Sequence, residues 1–199
     1  YDLGRLKSYK GIAEGVENTN YVVTTDGGMF ILTLYEKRVA GADLPFFLGL
    51  MEHLAGAGID CPTPVRDRGG AVLRQLAGRP AALSTFLDGV SVRRPRVAHC
   101  AAVGEALAGL HLAGRGYALR RQNALALQGW RTIAAKLGAD AEQVAPGLAL
   151  MIADEIRFLG AHWPAALPAG VIHADLFPNN VFFLGDRLSG LIDFYFACD

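Results

Sequence analysis

The stretch VIHADLFPNNVFFLGDRLSGLIDFYF, residues 171–196, decides how the rest of the chain is read. Val171 and Ile172 close an apolar strand, and His173, Asp175, Asn179 and Asn180 crowd the loop that follows. Val181–Leu184 and Ser189–Phe196 are apolar runs flanking a short glycine-containing turn near Asp186 and Arg187, which is a hairpin signal. With a symmetric turn, residue numbers across the hairpin sum to about 373, so Asn180 lies opposite Asp193 at the open end. Asp175 sits on the loop that feeds that same end. Two carboxylates and one amide therefore converge.

Oxygen donors of this kind suit Mg²⁺, which keeps several waters and takes further ligands from phosphate oxygens. Soft ligands are missing, so a permanent zinc or iron centre is not expected. A carboxylate beside such a metal can accept the proton of an attacking hydroxyl. His173, Asp175 and Asn180 have the His-x-Asp-x-x-x-x-Asn spacing of kinase-type phosphoryl transfer, with Asp193 as the later carboxylate. The competing account is an Asx turn at Asp175 and Asn179 with Asp193 as a solvated strand end. Leu191, Ile192, Phe194 and Phe196 around Asp193 predict an enclosed carboxylate and speak against it. His173 is expected to brace the loop, with no part in proton transfer.

Upstream, residues 1–35 read as strands: Leu6–Ile12, Asn20–Thr25 and, after Asp26-Gly27-Gly28, Met29–Tyr35. Alternation puts Phe30, Leu32 and Leu34 on one face and Ile31, Thr33 and Tyr35 on the other. A helix fits Asp43–Ala57, with Asp43 as N-cap and Pro45 in the first turn. Val72–Leu76 and Pro80–Phe86 read as two more strands. Beyond Asp88-Gly89 the texture turns helical, with helices predicted over Arg96–Ala113, Gln128–Leu137 and Val144–Ala161. His111 falls on the apolar stripe of the first of these and is expected in the core. Trp130 and Trp163 are expected to be packing residues. The expectation is an α+β chain of two lobes, 1–88 strand-rich with one helix and 89–199 mainly helical, with a ligand cleft between them.

Composition agrees with a folded, soluble domain. The 199 residues are 52% hydrophobic and 19% charged, with 19 basic and 19 acidic side chains. Zero net charge argues against a nucleic-acid partner. Phe158–Ala174 is the longest stretch without a charged side chain, and Pro164 and Pro168 interrupt it, so no membrane span and no secretory leader are expected. Cys61, Cys100 and Cys198 are too far apart for a metal motif and are expected as buried free thiols in a reducing cytoplasm.

HADLFPNNVFFLGDRLSGLIDFYFA resembles the phosphotransferase family of aminoglycoside and choline kinases. GIAEGVENTNYVV, FILTLYEKR, LPFFLGLMEHLA and DGVSVRRP are similar to its type II homoserine kinase group. The resemblance covers essentially the whole chain. It implies a protein-kinase-like fold in two lobes, ATP and Mg²⁺ as cofactors, and L-homoserine as acceptor in threonine biosynthesis. It also implies further helices that wall the acceptor site, so the chain is expected to be a fragment.

Residue by residue, the resemblance makes Asp175 the catalytic base, with His173 bracing the loop and Asn180 and Asp193 holding Mg²⁺. The turn Gly11–Tyr21 becomes the flap over the ATP phosphates, through Gly15, Glu17, Asn18 and Thr19. Ser84, Thr85 and Phe86 become the hinge that pairs with adenine. One departure stands out. Thr33 occupies the strand position where such kinases carry a lysine or arginine for the phosphates, and Phe46-Phe47 stand where the partner glutamate is expected. Glu52 comes too late in the helix, and Lys10, Lys37 or Arg38 are the substitutes within reach in sequence. Two other functions remain open: the same reaction on choline, ethanolamine, methylthioribose or an aminoglycoside, and a nucleotide-binding module without turnover.

Overall fold

The computed structural model describes residues 1–13, 18–36 and 39–199. They divide into two compact units, one of Tyr1–Arg121 with Gly170–Cys198 and one of Gln122–Ala169, which Asp199 joins. Gly15, Glu17, Lys37 and Arg38 lie outside the described residues.

The larger unit opens with an antiparallel sheet in the order β1-β2-β3-β5-β4. Its strands are β1 (Leu6–Ile12), β2 (Asn18–Thr25), β3 (Gly28–Tyr35), β4 (Leu73–Leu76) and β5 (Arg79–Thr85). Asp26 and Gly27 make the β2–β3 turn, with Thr25 opposite Gly28. The alternation expected in β3 is observed. Phe30 and Leu34 are buried on one face, and Thr33 and Tyr35 on the other.

Helix α1 (Leu44–Gly56) crosses between β3 and β4 and supplies Leu44, Phe46, Phe47, Leu48, Leu50, Met51 and Leu54 to the core. Pro45 sits in its first turn and Asp43 at the N-cap position, both as expected, but the Asp43 side chain makes no capping bond. A 3₁₀ turn, Gly41–Asp43, precedes the helix, and the Asp43 carboxylate instead accepts a hydrogen bond from Arg121 Nε at 2.8 Å. A charged guanidinium outcompetes the helix's own N–H groups for that oxygen.

After β6 (Val90–Ser91) comes α2 (Val97–Gly114), which packs against α1. By length and composition α2 alone among the described helices could cross a membrane. Its core-facing stripe runs through His99, Val103, Ala106, Leu110 and Gly114. His111 is exposed, contrary to expectation, because it is rotated about 120° around the axis from His99, whereas Leu110 is rotated only about 20°. Cys100 is exposed on the same account, while Cys61 and Cys198 are buried free thiols.

The hairpin of the terminal stretch forms from β7 (Val181–Leu184) and β8 (Arg187–Leu191), with β6 completing a three-stranded sheet in the order β6-β7-β8. Gly185, at φ +64°, opens a two-residue turn with Asp186. The pairing is one or two residues tighter than a symmetric turn centred on Asp186 and Arg187. Leu184 faces Arg187, and an irregularity between Phe182 and Phe183 shifts the register so that Val181 faces Leu191.

The smaller unit holds α3 (Leu127–Leu137), a 3₁₀ turn Gly138–Gln143, and α4 (Leu148–His162). The helix expected from Val144 starts four residues later, because Gly147 takes a left-handed φ of +82° immediately before it. Glu142 then serves as the cap, accepting from the N–H groups of Gly147 at 2.7 Å and Ala149 at 2.9 Å. Those two bonds hold its carboxyl below the ordinary glutamate range. Trp130 and Trp163 pack edge to face on each other, 5.7 Å between ring centres.

Candidate active site

The loop after Val171 is fastened at both ends. Ile172 and Cys198 exchange backbone hydrogen bonds of 2.8 and 3.2 Å, which fixes where the loop starts. Ala174 then takes φ +64°, a left-handed conformation costly for alanine, and turns the chain into Asp175. Phe177 N–H donates to the Asp175 carbonyl and Asn180 N–H to the Phe177 carbonyl, each at 2.9 Å, so the loop closes as the 3₁₀ turn Pro178–Asn180.

Inside this loop Asp175 and Asn180 are in contact. The Asn180 side chain is buried, at 4% exposure, and its Nδ2 donates to the Asp175 carbonyl at 2.8 Å and to Asp175 Oδ2 at 3.1 Å. With its NH₂ turned towards Asp175, the amide presents Oδ1 on its other side as an acceptor. The Asp175 carboxylate itself is partly exposed.

Ile192 joins the loop to the hairpin, and nothing in its residue type announced that role. Its N–H donates to the Asn180 carbonyl at 2.9 Å, and its own carbonyl lies 2.9 Å from His173 Nε2. His173 Nδ1 accepts the Asp175 backbone N–H at 3.3 Å, so the ring proton is on Nε2 and points at Ile192. The imidazole is 1% exposed and lies against the Phe194 ring. Burial pushes its pKa down, against smaller upward pulls from the Ile192 carbonyl and the Asp175 charge. It is therefore a neutral brace near pH 7.

Asp193 follows Ile192 and departs from expectation. Its neighbours Leu191 and Phe194 are fully buried, yet Asp193 is exposed. The cause is its backbone, φ +65° and ψ +63°, which turns the side chain away from the core its neighbours enter. Among the described residues no three His, Cys, Asp or Glu side chains form a metal cluster. Asn180 Oδ1 and the Asp193 carboxylate are hard oxygen donors on adjoining backbone, and their chemistry fits Mg²⁺.

The residues expected around a nucleotide are distributed over the five-stranded sheet. At the start of β2, Asn18 Oδ1 accepts the Glu36 N–H at 3.3 Å and Thr19 Oγ1 donates to Glu36 Oε1 at 2.9 Å. Arg79 Nη1 meets the same Glu36 oxygen at 2.7 Å. Glu36 and Arg79 thus anchor the end of the turn, and their spacing in sequence gave no hint of it. Thr33 is 5% exposed, and its Oγ1 donates to Asn20 Oδ1 at 2.8 Å. Phe46 and Phe47 are buried in α1, and Glu52 pairs with Arg66 at 2.8 Å.

Ser84 bridges to Pro64, and Thr85 N–H donates to the Thr63 carbonyl at 2.9 Å while Thr85 Oγ1 accepts the Thr63 N–H. Phe86 N–H donates to the Met29 carbonyl at 3.4 Å. The N–H groups of Thr85 and Phe86 are therefore engaged with the protein's own backbone.

The model of the phosphotransferase enzyme family matches residues 8–199. A homoserine kinase of Nitrobacter winogradskyi is 65% identical over 198 residues, which is all of this chain and 61% of that protein. One of Xanthobacter autotrophicus is 62% identical over 198 residues, covering 62% of that protein. The chain thus spans about three fifths of the length of these curated relatives. Among solved structures, an amicoumacin kinase in complex with AMP-PNP, Ca²⁺ and Ami superposes with TM-score 0.74 at 17% identity, over 98% of this chain and 61% of that one. A spectinomycin phosphotransferase, in complex with ADP and spectinomycin, gives 0.68 at 13%, over 98% and 65%. The fold is that of these kinases.

Proposed function

The chain belongs to the phosphotransferase enzyme family, and on that premise we propose that it transfers the γ-phosphoryl group of ATP to the side-chain hydroxyl of L-homoserine. The product is O-phosphohomoserine, the reaction belongs to threonine biosynthesis, and the compartment is the cytoplasm. The observation that carries this reading is 65% identity to a homoserine kinase along all of this chain.

Each site residue has a part in it. Asp175 is the base: its carboxylate is partly exposed on a loop held at both ends, positioned to accept the homoserine hydroxyl proton. Asn180 keeps Asp175 in place through Nδ2 and offers Oδ1, with the Asp193 carboxylate, to Mg²⁺. Bound there, Mg²⁺ supplies charge neutralisation on the phosphate oxygens. His173 holds Ile192, and through it the backbone that leads to Asp193. Asn18 and Thr19, with Gly15 and Glu17 outside the described residues, cover the phosphates. Ser84, Thr85 and Phe86 face the adenine, where carbonyl oxygens rather than the engaged N–H groups of Thr85 and Phe86 offer the contacts. The lobes meet at 88/89, and the partners are small molecules, without nucleic acid or membrane.

ADP release with Mg·ATP over homoserine, choline, methylthioribose and kanamycin tests the acceptor. Release that depends on homoserine supports this function. Release that depends only on another acceptor keeps the reaction and replaces the substrate. Nucleotide binding without release on any acceptor overturns the assignment.

A further inference from the structure

Thr33 stands where a phosphate-binding lysine would be expected, and its surroundings show what has replaced that lysine. It faces Asn20 directly across the β2–β3 pair, and its hydroxyl donates to Asn20 Oδ1 at 2.8 Å. The phenol of Tyr195, two residues past Asp193, interacts with the same hydroxyl. Tyr195 OH lies 3.0 Å from Tyr35 OH, the rings 5.3 Å apart and edge to face. Phe47, from the helix position where the lysine's glutamate partner was expected, packs edge-on against Tyr195 with ring centres 5.7 Å apart. The space of an ion pair is filled by aromatic rings and a neutral chain of hydroxyls.

One ordering of protons satisfies every member of that chain. Asn20 Oδ1 only accepts, so Thr33 gives its one proton to it and towards Tyr195 can only accept, while the two phenols share the remaining bond. The Asn20 amide plane is then set with the NH₂ on the far side from Thr33. Among the described residues that NH₂ has no hydrogen-bond partner. Asn20 lies on β2 just beyond Asn18 and Thr19, at the end of the turn placed over the phosphates. Two oriented N–H donors there, beside an otherwise satisfied chain, are what a phosphate oxygen requires.

We propose that Asn20 Nδ2 binds a phosphate oxygen of the nucleotide in place of the strand lysine, and that Thr33, Tyr195 and Tyr35 are positioning residues that hold its amide. This rests on the nucleotide-binding reading given above. The chain also ties β3 to the segment carrying Asp193, so the phosphate donor and the metal ligand are set by one hydrogen-bonded unit.

Calorimetric titration of Mg·AMP-PNP into the protein and its variants tests this. Asn20→Ala and Asn20→Ser are expected to weaken binding by roughly 10- to 100-fold, the worth of a hydrogen bond to a charged group. Thr33→Val, which exchanges the hydroxyl for a methyl group, is expected to cost about as much, whereas Thr33→Ser, which keeps the hydroxyl, stays within about threefold of the parent. Combining Asn20→Ala with Thr33→Val adds little further, because the second change acts through the first. Parent-like binding by folded Asn20→Ala and Asn20→Ser proteins overturns the inference and leaves the kinase reading standing. Absence of Mg·AMP-PNP binding by the parent protein overturns both.

Discussion

His173 donates from Nε2 to the backbone oxygen of Ile192 over 2.9 Å, and its Nδ1 takes the Asp175 N–H at 3.3 Å. One neutral ring therefore sets the spacing between the loop bearing the proposed base and the backbone leading to Asp193. Because Ile192 N–H also bonds the Asn180 carbonyl, both polar groups of Ile192 are committed to that loop. The geometry of the site depends on a residue with no chemistry of its own.

Stability should depend on the His173 proton. Its folded pKa is lowered, chiefly by burial, so below the ordinary value of about 6.5 the unfolded chain binds more protons than the folded one. Stability contributed by the neutral ring is thus complete above that value and is lost as the pH falls below it towards the folded pKa. The melting temperature is expected to be flat above about pH 7 and to fall between there and pH 5. His173→Gln should lower stability by about 1–3 kcal/mol near neutral pH, through loss of the ring's packing and its hydrogen bond to Ile192, and flatten the acid decline. An unchanged acid decline in His173→Gln would contradict this.

Arg121 joins three parts of the larger unit. It bonds Asp43 at 2.8 Å and the Ala197 carbonyl at 3.2 Å, and its guanidinium lies 5.0 Å over the Phe47 ring. Arg121 and Asp43 are only partly buried, so Arg121→Ala is expected to cost about 1–2 kcal/mol in denaturant unfolding. Arg121→Lys should recover less than half of that, since an ammonium lacks the planar fork. Full recovery by lysine would show that charge alone matters there.

The thiols should react in two classes. Cys61 is buried, and burial with the nearby Asp60 charge pushes its pKa up to about 12, while Cys198 is buried as well. Cys100 is exposed on α2. Ellman's reagent is expected to titrate one thiol quickly in the native protein and three after unfolding. Equal rates for Cys61 and Cys100 would contradict the core described above.

The contrast between the terminal hairpin and α2 shows what a sequence can convey. The hairpin was legible because strand alternation and a glycine turn fix each residue's neighbour to within one or two positions, which sufficed to bring Asn180 next to the Asp193 segment. In α2 small and apolar residues surround the axis, so the pattern establishes a helix without its phase, and the histidine in the core is His99 rather than His111. The exposure of Asp193 escapes the sequence for a related reason. Apolar neighbours imply enclosure only if the backbone is regular, and at Asp193 it is left-handed, at φ +65°. Ile192, Glu36 and Arg79 act through backbone bonds or distant pairings that spacing along the chain does not encode.

The most direct test is homoserine-dependent turnover of Mg·ATP by the Asp175→Asn variant beside the parent, with Mg·ATP affinity measured on both. A base positioned by Asn180 predicts a turnover loss of roughly 10²–10⁴-fold with nucleotide affinity within about threefold of the parent. A turnover loss below about threefold would remove Asp175 from that role and with it the account of the site.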